Sequence, residues 1–191
     1  HDGVIQSIYA VGLTLEYVKA QLVDGDVSGA AERLDTALDA LNGTIRDIRA
    51  YILDLRPPRL ENDDLNGALN RLLAEFKANT LMQADLRIES GTLDKLSGGV
   101  SQVLFHVVQE SLSNAAKHSR ASRVDVRIVK DASSVHLTVR DNGRGFALED
   151  TEQRFGHGLR NMRDRAAAIG GELTIKGRLG KGTEVRLTFP R

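Results

Sequence analysis

The chain of 191 residues contains no cysteine and no tryptophan, and it has only three prolines. The absence of cysteine excludes disulfides, thiolate metal sites and cysteine nucleophiles, and it is consistent with a reducing compartment. No apolar run in the sequence approaches the roughly 18 residues of a membrane-spanning helix. The formal net charge is zero, with 26 Lys and Arg against 26 Asp and Glu. Because proteins that bind nucleic acid through its phosphates usually carry a basic excess, we expect no direct nucleic-acid binding.

The remaining composition is that of a folded protein. Hydrophobic residues make up 41% of the chain and charged residues 27%, which is typical of globular domains. The length allows one or two domains. Because the first residue is His1 rather than Met, we expect a fragment of a longer protein. We expect a cytoplasmic location for this fragment, with any sensor or membrane anchor lying in missing upstream segments.

Charge is distributed unevenly along the chain. Residues 1–56 carry nine acidic and five basic side chains, whereas residues 57–191 carry seventeen acidic and twenty-one basic ones. The change coincides with Pro57 and Pro58, which end a helix and stiffen the connection that follows. The sequence therefore predicts two domains, residues 1–58 and residues 59–191.

The first part has the apolar spacing of two helices. Apolar residues alternate at intervals of four and three on both sides of a turn-like segment at 24–29; they are Val4, Ile8, Val11, Leu15, Val18 and Leu22, then Leu34, Leu38, Leu41, Ile45, Ile48, Ile52 and Leu55. This pattern predicts an antiparallel hairpin. One hairpin would leave much apolar surface in water, so we expect a second copy to complete a four-helix bundle. The alternative is packing against the rest of the same chain.

The second part mixes helical and strand patterns. Helical stripes occur at 65–76, 100–115 and 159–169, and alternating strand patterns occur at 86–89, 124–129, 135–140, 173–175 and 184–189. We expect the strands at 124–129 and 135–140 to be antiparallel neighbours. Helices on one face of a mixed sheet make this part an α+β layer.

Three glycine clusters could approach a ligand. They are Asp141-Asn142-Gly143-Arg144-Gly145, Gly156-His157-Gly158, and Gly180-Lys181-Gly182-Thr183. Glycines let the backbone approach a ligand closely, and free N–H groups at a helix start bind phosphate. Taken alone, the first and third clusters are more typical of ordinary turns at strand ends, and none of the three is a Walker loop.

A polar face precedes these clusters. Glu110, Asn114 and Lys117 lie three or four residues apart, which places them on one side of a predicted helix, with His118 next to them. A carboxylate, an amide and an ammonium on one face suit a hydrated Mg²⁺ ion that carries phosphates. A solvated helix surface explains the same pattern.

The order of these elements is more specific than any one of them. Glu-x-x-x-Asn, Asp-x-Gly-x-Gly, Gly-x-Gly-Leu and Gly-x-Gly-Thr follow one another within residues 100–190. This order resembles the N, G1, G2 and final glycine boxes of the ATP-binding domain shared by gyrase, heat-shock-90 chaperones, histidine kinases and MutL. The resemblance implies a GHKL (Bergerat) α/β sandwich with a mixed sheet.

The N-terminal part indicates one branch of that superfamily. The segment from His1 to Gln6 resembles the H-D-x-x-x-Q histidine box of two-component sensor kinases. The segment 53–57, Leu-Asp-Leu-Arg-Pro, resembles the end of their second dimerisation helix, and 109–118 is close to the N box of the short-lid subfamily that usually partners LuxR-type response regulators. The resemblance covers nearly the whole chain.

This resemblance implies an ATP-dependent protein-histidine kinase core that acts in signal transduction as a homodimer. His1 would attack the γ-phosphate of ATP, Asp2 would accept or polarise the other ring N–H, and the phosphoryl group would pass to an aspartate in a response regulator receiver domain. Gln6 would position the water that dephosphorylates the regulator. A neutral imidazole is a competent nucleophile near neutral pH.

The same resemblance assigns the phosphate end of the ATP site. Asn114 would be a Mg²⁺ ligand, Glu110 would lie near the metal-bound water or the phosphates, and Lys117 and His118 would lie close to the phosphates. Residues 147–155 would form a short lid, in which we find no counterpart of the phenylalanine-containing box of larger lids.

The base end of the site is assigned in the same way. Asp141 would accept a hydrogen bond from the adenine amino group, and Thr183 would support it directly or through water. Gly143 and Gly145 would give room for the base. The remaining residues expected to bind the nucleotide end the lid and begin the phosphate-facing helix: Gly156, Gly158 and Leu159.

Two other functions compete with this interpretation. An ATP hydrolase of the gyrase or mismatch-repair type would need transducer domains and has no place for a histidine box. A dimeric nucleotide-binding adaptor without phosphotransfer stays possible if His1 cannot reach ATP.

Overall fold

The computed structural model describes residues 2–55, 64–80, 82–94, 96–146 and 156–191. The chain divides into two compact units, His1–Ile52 and Leu53–Arg191. The domain boundary predicted at residues 58 and 59 lies outside the described residues, so it stays a prediction. None of the described helices is both long enough and apolar enough to cross a membrane.

The first unit is the predicted helical hairpin. Helix α1 spans Asp2–Val23 and helix α2 spans Val27–Leu55. Asp26 caps α2, because its Oδ1 accepts a hydrogen bond of 2.9 Å from the Gly29 N–H. Its Oδ2 accepts a second one of 2.8 Å from the Gln21 side chain on α1, which ties the two helices together at the turn.

The buried seam of the single hairpin combines residues of the predicted apolar pattern on α1 with small residues on α2. Buried residues recur every seven positions on both helices, but on α2 they are small; they are Val11 and Val18 on α1, and Ala30, Ala37 and Thr44 on α2. The Arg33 guanidinium lies 4.4 Å above the Tyr17 ring and adds a cation–π contact between the helices. Small side chains thus occupy the buried positions of α2, and its larger apolar residues lie at other positions on the helix.

The larger side chains of the heptad pattern remain exposed in a single chain. On α2, Leu34, Leu38, Leu41 and Ile45 are between 37% and 48% exposed. Leucine burial is worth about 1.5–3 kcal/mol per side chain, so a row of wet leucines on one helix face is costly. The hairpin alone therefore leaves this stripe in water, which agrees with the expectation from the sequence.

The second unit is the predicted α+β layer. Its helices are α3 (Leu65–Thr80), α4 (Gly98–Asn114) and α5 (Gly156–Ala168). Its strands are β1 (Gln83–Ile88), β2 (Arg123–Lys130), β3 (Ser134–Asp141), β4 (Glu172–Arg178) and β5 (Gly182–Pro190). The sheet order is β1-β2-β3-β5-β4; β1 and β2 are parallel and every other pair is antiparallel. The predicted mixed sheet and the predicted β2–β3 pairing are confirmed.

The core lies between this sheet and the three helices. Alternate residues on the central strands point into it, which is why these strands read with a period of two in the sequence. Fully buried members include Val124, Ile128, Leu137 and Leu187 from the sheet and Leu69, Leu104 and Val107 from the helices. Pairing of Val139 with both Val126 and Val185 places the carboxyl end of β3, and so Asp141, beside β2 and β5.

Candidate nucleotide site

A cavity of about 440 Å³ opens in the second unit next to the carboxyl end of β3. Such a volume lies within the range of small-molecule sites. Its lining comes from α4 and the turn after it, from the strands, and from the loop after β3. The polar lining residues are Ser111, Asn114, His118, Ser119, Asp141, Arg144 and Thr183. The apolar ones include Val124, Val139, Phe146, Leu159, Ile175, Leu179 and Val185.

Asp141 is the buried carboxylate of this cavity. It ends β3, is only 7% exposed, and accepts a hydrogen bond of 2.8 Å from the Gly143 N–H. Burial raises its pKa above the ordinary value for aspartate, while hydrogen bonds from Gly143 and from the hydroxyl and N–H of Thr183 oppose that rise. Partly satisfied and facing a cavity, this carboxylate can accept a further hydrogen bond from a ligand donor.

Glycines allow the backbone around Asp141 to pack without side chains. A Cβ atom at Gly143 would meet the Ser119 carbonyl, one at Gly145 would meet the Arg178 carbonyl, and one at Gly182 would meet the Asp141 carbonyl. Gly145 and Gly182 also have φ values of +62° and +86°, which L side chains rarely adopt. The structure thus gives Gly143 a backbone-packing role, whereas Gly145 also lines the cavity.

The predicted polar helix face changes pitch within the site. Helix α4 ends at Asn114 and continues as a π-helical turn, Ala115–Ser119. Such turns are rare and occur often at functional sites. Because a π turn is wider than an α turn, the angular offset between Asn114 and the residues after it differs from the predicted one. His118 lines the cavity and is exposed, while Lys117 is half-buried and is not among the described lining residues.

Glu110 and Asn114 lie together as predicted. The Asn114 Nδ2 and the Glu110 Oε1 are 3.4 Å apart, and both side chains are half-buried. Gly158 on α5 packs against Glu110, because a Cβ atom at Gly158 would meet the Glu110 carboxylate. Helix α5 begins at Gly156, earlier than the sequence predicted, and Leu159 is buried against the cavity.

The histidine box belongs to the other unit. His1 lies outside the described residues, and Asp2 is described only as the first residue of α1. Gln6 is exposed on α1. The predicted lid, residues 147–155, also lies outside the described residues. Within the second unit, six of the predicted residues line the cavity: Asn114, His118, Asp141, Gly145, Leu159 and Thr183. Glu110, Lys117, Gly143 and Gly158 are described but are not among its lining residues.

Sequence reasoning missed several residues of the cavity. Phe146 is buried and lines it, with its ring against Gly177, where a Cβ atom would come within 2.6 Å of the ring. Phe146 directly follows the Asp-x-Gly-x-Gly segment, so its position was a usable signal. Ile175 and Leu179 lie on β4 and the turn after it. They carry no motif, and only the folded sheet brings them to Asp141.

The oxygen atoms of the site fit a hard cation. Among the described side chains, no group of three or more His, Asp and Glu could hold a metal by itself. Mg²⁺ bound with phosphates commonly uses only one or two protein ligands and keeps several waters. Asn114, which lines the cavity, offers an amide oxygen, and the neighbouring Glu110 offers a carboxylate, which suits that kind of binding.

Two family profiles match the chain. Residues 99–191 match "Histidine kinase-, DNA gyrase B-, and HSP90-like ATPase". Residues 1–60 match "Histidine kinase". The first matched range contains every lining residue of the cavity, and the second contains the helical hairpin.

Curated proteins are similar over the whole chain. The sensor histidine kinase LiaS of Bacillus subtilis is 33% identical over 190 residues, which are 100% of this chain and 51% of LiaS. The sensor histidine kinase MctS of Rhizobium johnstonii is 35% identical over 177 residues, 92% of this chain and 38% of MctS. The signal transduction histidine-protein kinase/phosphatase DegS of Brevibacillus brevis is 29% identical over 191 residues, 100% of this chain and 49% of DegS. The chain spans about half the length of LiaS and DegS, and less of MctS.

Solved structures share the fold. The histidine kinase domain of the blue-light activated histidine kinase EL346 from Erythrobacter litoralis has a TM-score of 0.56 and 18% identity, covering 100% of this chain and 94% of that domain. A histidine kinase of Acinetobacter baumannii, AdeS, has a TM-score of 0.54 and 13% identity, covering 96% of both chains. At these identities the likeness concerns the fold alone.

Proposed function

This chain belongs to the family of two-component sensor histidine kinases, and from that membership we propose that it is the ATP-dependent kinase core of such a protein. One observation carries the proposal. A nucleotide-sized cavity with the buried carboxylate of Asp141 lies in one unit, and the other unit is a helical hairpin that begins with a histidine box. We further propose a cytoplasmic location for this part of the protein.

Asp141 would select the base of the nucleotide. Its carboxylate accepts a hydrogen bond from the exocyclic amino group of adenine, with Thr183 completing the hydrogen-bonded group. Guanine presents a carbonyl oxygen at the corresponding edge, and two acceptors facing each other repel. The surrounding apolar side chains, such as Val139, Val185 and Phe146, would bury the ring faces.

The other end of the cavity would hold the phosphates. Asn114 would hold Mg²⁺, and Glu110 beside it would lie near the metal-bound water or the phosphates, with His118 at the cavity and Lys117 nearby. When bound, the ion would neutralise phosphate charge and fix the orientation of the γ-phosphate. The first N–H groups of α5, near Gly158, would donate hydrogen bonds to phosphate oxygens, as helix N-termini do.

The reaction would transfer one phosphoryl group twice. A ring nitrogen of His1 attacks the γ-phosphorus, the bond to the β-phosphate oxygen breaks, and ADP leaves with the electron pair. Asp2 takes or polarises the proton on the other ring nitrogen. A carboxylate oxygen of the response regulator then attacks the phosphorus, and breaking the P–N bond regenerates the imidazole.

A phosphatase activity is part of the proposal. Gln6 is exposed on α1, four residues after Asp2, so both lie on one side of the helix. An amide can hold a water molecule with one donor and one acceptor, and it adds no charge to the helix. The related protein DegS is named a kinase/phosphatase, which supports the presence of both activities in this chain. The regulator would carry a LuxR-type DNA-binding output.

The kinase reaction is tested by the chemistry of the phosphate on the protein. With labelled ATP and Mg²⁺, we expect acid-labile, base-stable phosphate, which is the behaviour of a phosphoramidate. His1→Gln should abolish the label. The control is His136→Gln, which alters a histidine on the sheet that is hydrogen-bonded to Asp131 and Thr188. This variant should retain the phosphate label.

The rival functions give other results in the same assay. Phosphate release without labelled protein would support an ATP hydrolase. Nucleotide binding with neither release nor labelling would support an adaptor. Label that survives His1→Gln would place the phosphate on another residue.

The exposed leucines of α2 support a homodimer. Their stripe faces water in a single chain, and a second hairpin would bury it as a four-helix bundle. We expect Leu38→Lys combined with Leu41→Lys to convert a dimer into a monomer, as measured by light scattering at micromolar concentration. Asp39→Lys is the control for added positive charge, because Asp39 lies on α2 away from the stripe.

The same variants separate assembly from nucleotide binding. The double variant should still bind ATP, because the cavity lies wholly in the other unit. A wild-type protein that is monomeric under these conditions, or a double variant that remains dimeric, would contradict the four-helix arrangement.

A further inference from the structure

An apolar side chain lies at the mouth of the cavity although most of its surface is in contact with water. Leu179 lines the cavity, yet it is 70% exposed. Single exposed leucines are common on protein surfaces and need no explanation by themselves. Leu179 differs because of its place on the rim, on a turn whose position is fixed.

Backbone contacts fix this turn on two sides. The Gly180 N–H donates a hydrogen bond of 2.7 Å to the Arg144 carbonyl, and the Lys181 N–H donates one of 2.9 Å to the Arg178 carbonyl. Gly145 also packs closely on the Arg178 carbonyl and Gly182 on the Asp141 carbonyl, and neither contact leaves room for a side chain at the glycine. The backbone that carries Leu179 is therefore held in place before a ligand arrives.

The turn belongs to the Asp141 end of the cavity. Gly182, three residues after Leu179, packs on Asp141 itself, and the neighbouring lining residues Phe146 and Ile175 are apolar. Glu110, whose carboxylate lies beside Asn114, instead packs against Gly158 on α5. A ligand with a flat apolar face and a hydrogen-bond donor at its edge fits the end that holds Leu179.

We propose that Leu179 covers the purine base of the bound nucleotide from the solvent side. This inference rests on the proposed ATP-binding function and adds a positioning residue to it. The base would lie with its donor edge toward Asp141, and its outer surface would bury part of the Leu179 side chain. Preorganisation of the turn means that little conformational entropy is lost when this contact forms.

The proposal predicts a loss that depends on the base and not on the phosphates. Leu179→Ala should weaken binding of ATP, ADP and adenosine by the same factor, about three- to tenfold, with or without Mg²⁺. Leu179→Met keeps an apolar side chain of similar volume and should stay within about twofold of wild type. Affinities can be measured by calorimetry or by competition with a fluorescent nucleotide.

The neighbouring Lys181→Ala is the matched control. Lys181 is exposed on the same turn, so its removal tests disturbance of the turn, and adenosine affinity should be unchanged. Thermal unfolding of Leu179→Ala should also match wild type, because the side chain is mostly in water.

Each other outcome has a distinct meaning. A loss confined to ATP would place Leu179 near the phosphates and overturn the proposal, as would unchanged adenosine affinity in Leu179→Ala. An equal loss in Lys181→Ala would assign the effect to the turn and not to the leucine. A wild-type protein that binds no adenine compound would overturn the proposed function itself.

Discussion

Asn114→Ala is expected to abolish Mg²⁺-dependent autophosphorylation while leaving the fold intact. A bound metal ion contributes several kcal/mol to phosphoryl transfer, so loss of a protein ligand should lower the rate about a hundredfold or more. The side chain lines the cavity and makes one long hydrogen bond, 3.4 Å, to Glu110. The buried residues of α4, among them Leu104, Val107 and Val108, are unchanged in the variant.

The binding measurement separates metal binding from other roles of Asn114. In wild type, Mg²⁺ should strengthen ATP binding; in Asn114→Ala this effect should disappear, whereas adenosine binding without Mg²⁺ should be unchanged. Gln102→Ala removes an exposed amide from the same helix and is the control. Wild-type rates and an unaltered Mg²⁺ effect in Asn114→Ala would show that the metal is held by other groups.

Asp141→Asn is expected to weaken ATP binding and, at the same time, not to weaken the fold. A hydrogen bond to a charged group contributes about 1.5–3 kcal/mol, so affinity should fall roughly ten- to a hundredfold. Burial raises the pKa of Asp141, which means that its ionised form is disfavoured in the folded protein. Removing that charge should leave the free energy of unfolding of the ligand-free protein at pH 7 equal or higher.

The pH dependence follows from the same shift. A raised pKa means that the folded state binds the proton more tightly than the unfolded state does. At neutral pH, where Asp141 is ionised, the free energy of unfolding of wild type is therefore lowered. This lowering should disappear as the pH falls below the ordinary aspartate pKa of about 3.9, where wild type and Asp141→Asn should converge.

Asp131 provides an aspartate with the opposite shift. Its pKa is lowered, mainly by the hydrogen bond with His136 and then by the Ser133 and Ser134 N–H groups of the β2–β3 turn. Asp131→Asn should therefore lose stability at neutral pH and leave ATP affinity unchanged.

Equal ATP affinity in wild type and Asp141→Asn would contradict the base-binding role of Asp141. A clear loss of stability in Asp141→Asn would contradict the desolvation argument.

The sequence predicted the elements of this fold well because they have strong periodicity. Strands β2 and β3 alternate strictly, so their core residues, such as Val126 and Leu137, could be identified before the structure. The insertion of β5 between β3 and β4 left no local signal, since strand order depends on contacts far apart in the chain. In the hairpin, Val11 and Val18 belong to the predicted apolar pattern and are buried, whereas Ala30 and Ala37 are too small to stand out beside leucines in such a pattern.

The candidate site was predictable where short motifs exist. Asp141, Asn114 and Thr183 were found by their boxes, and all three line the cavity. The π-helical turn after Asn114 could not be foreseen, because its sequence, Ala-Ala-Lys-His-Ser, reads as an ordinary helix continuation. Leu179 was missed for a different reason: only the fold brings it to the cavity.

The glycine contacts around Asp141 also bear on how this loop can change during evolution. Hydrogen bonds of 2.7 Å from the Arg144 N–H to the Ser119 carbonyl and from the Gly180 N–H to the Arg144 carbonyl involve backbone atoms alone. The shape of the binding site is thus maintained by main-chain groups that every amino acid other than proline supplies. Drift can alter the exposed side chains of Arg144 and Lys181, and with them the charge of the rim, while Gly143, Gly145 and Gly182 must persist.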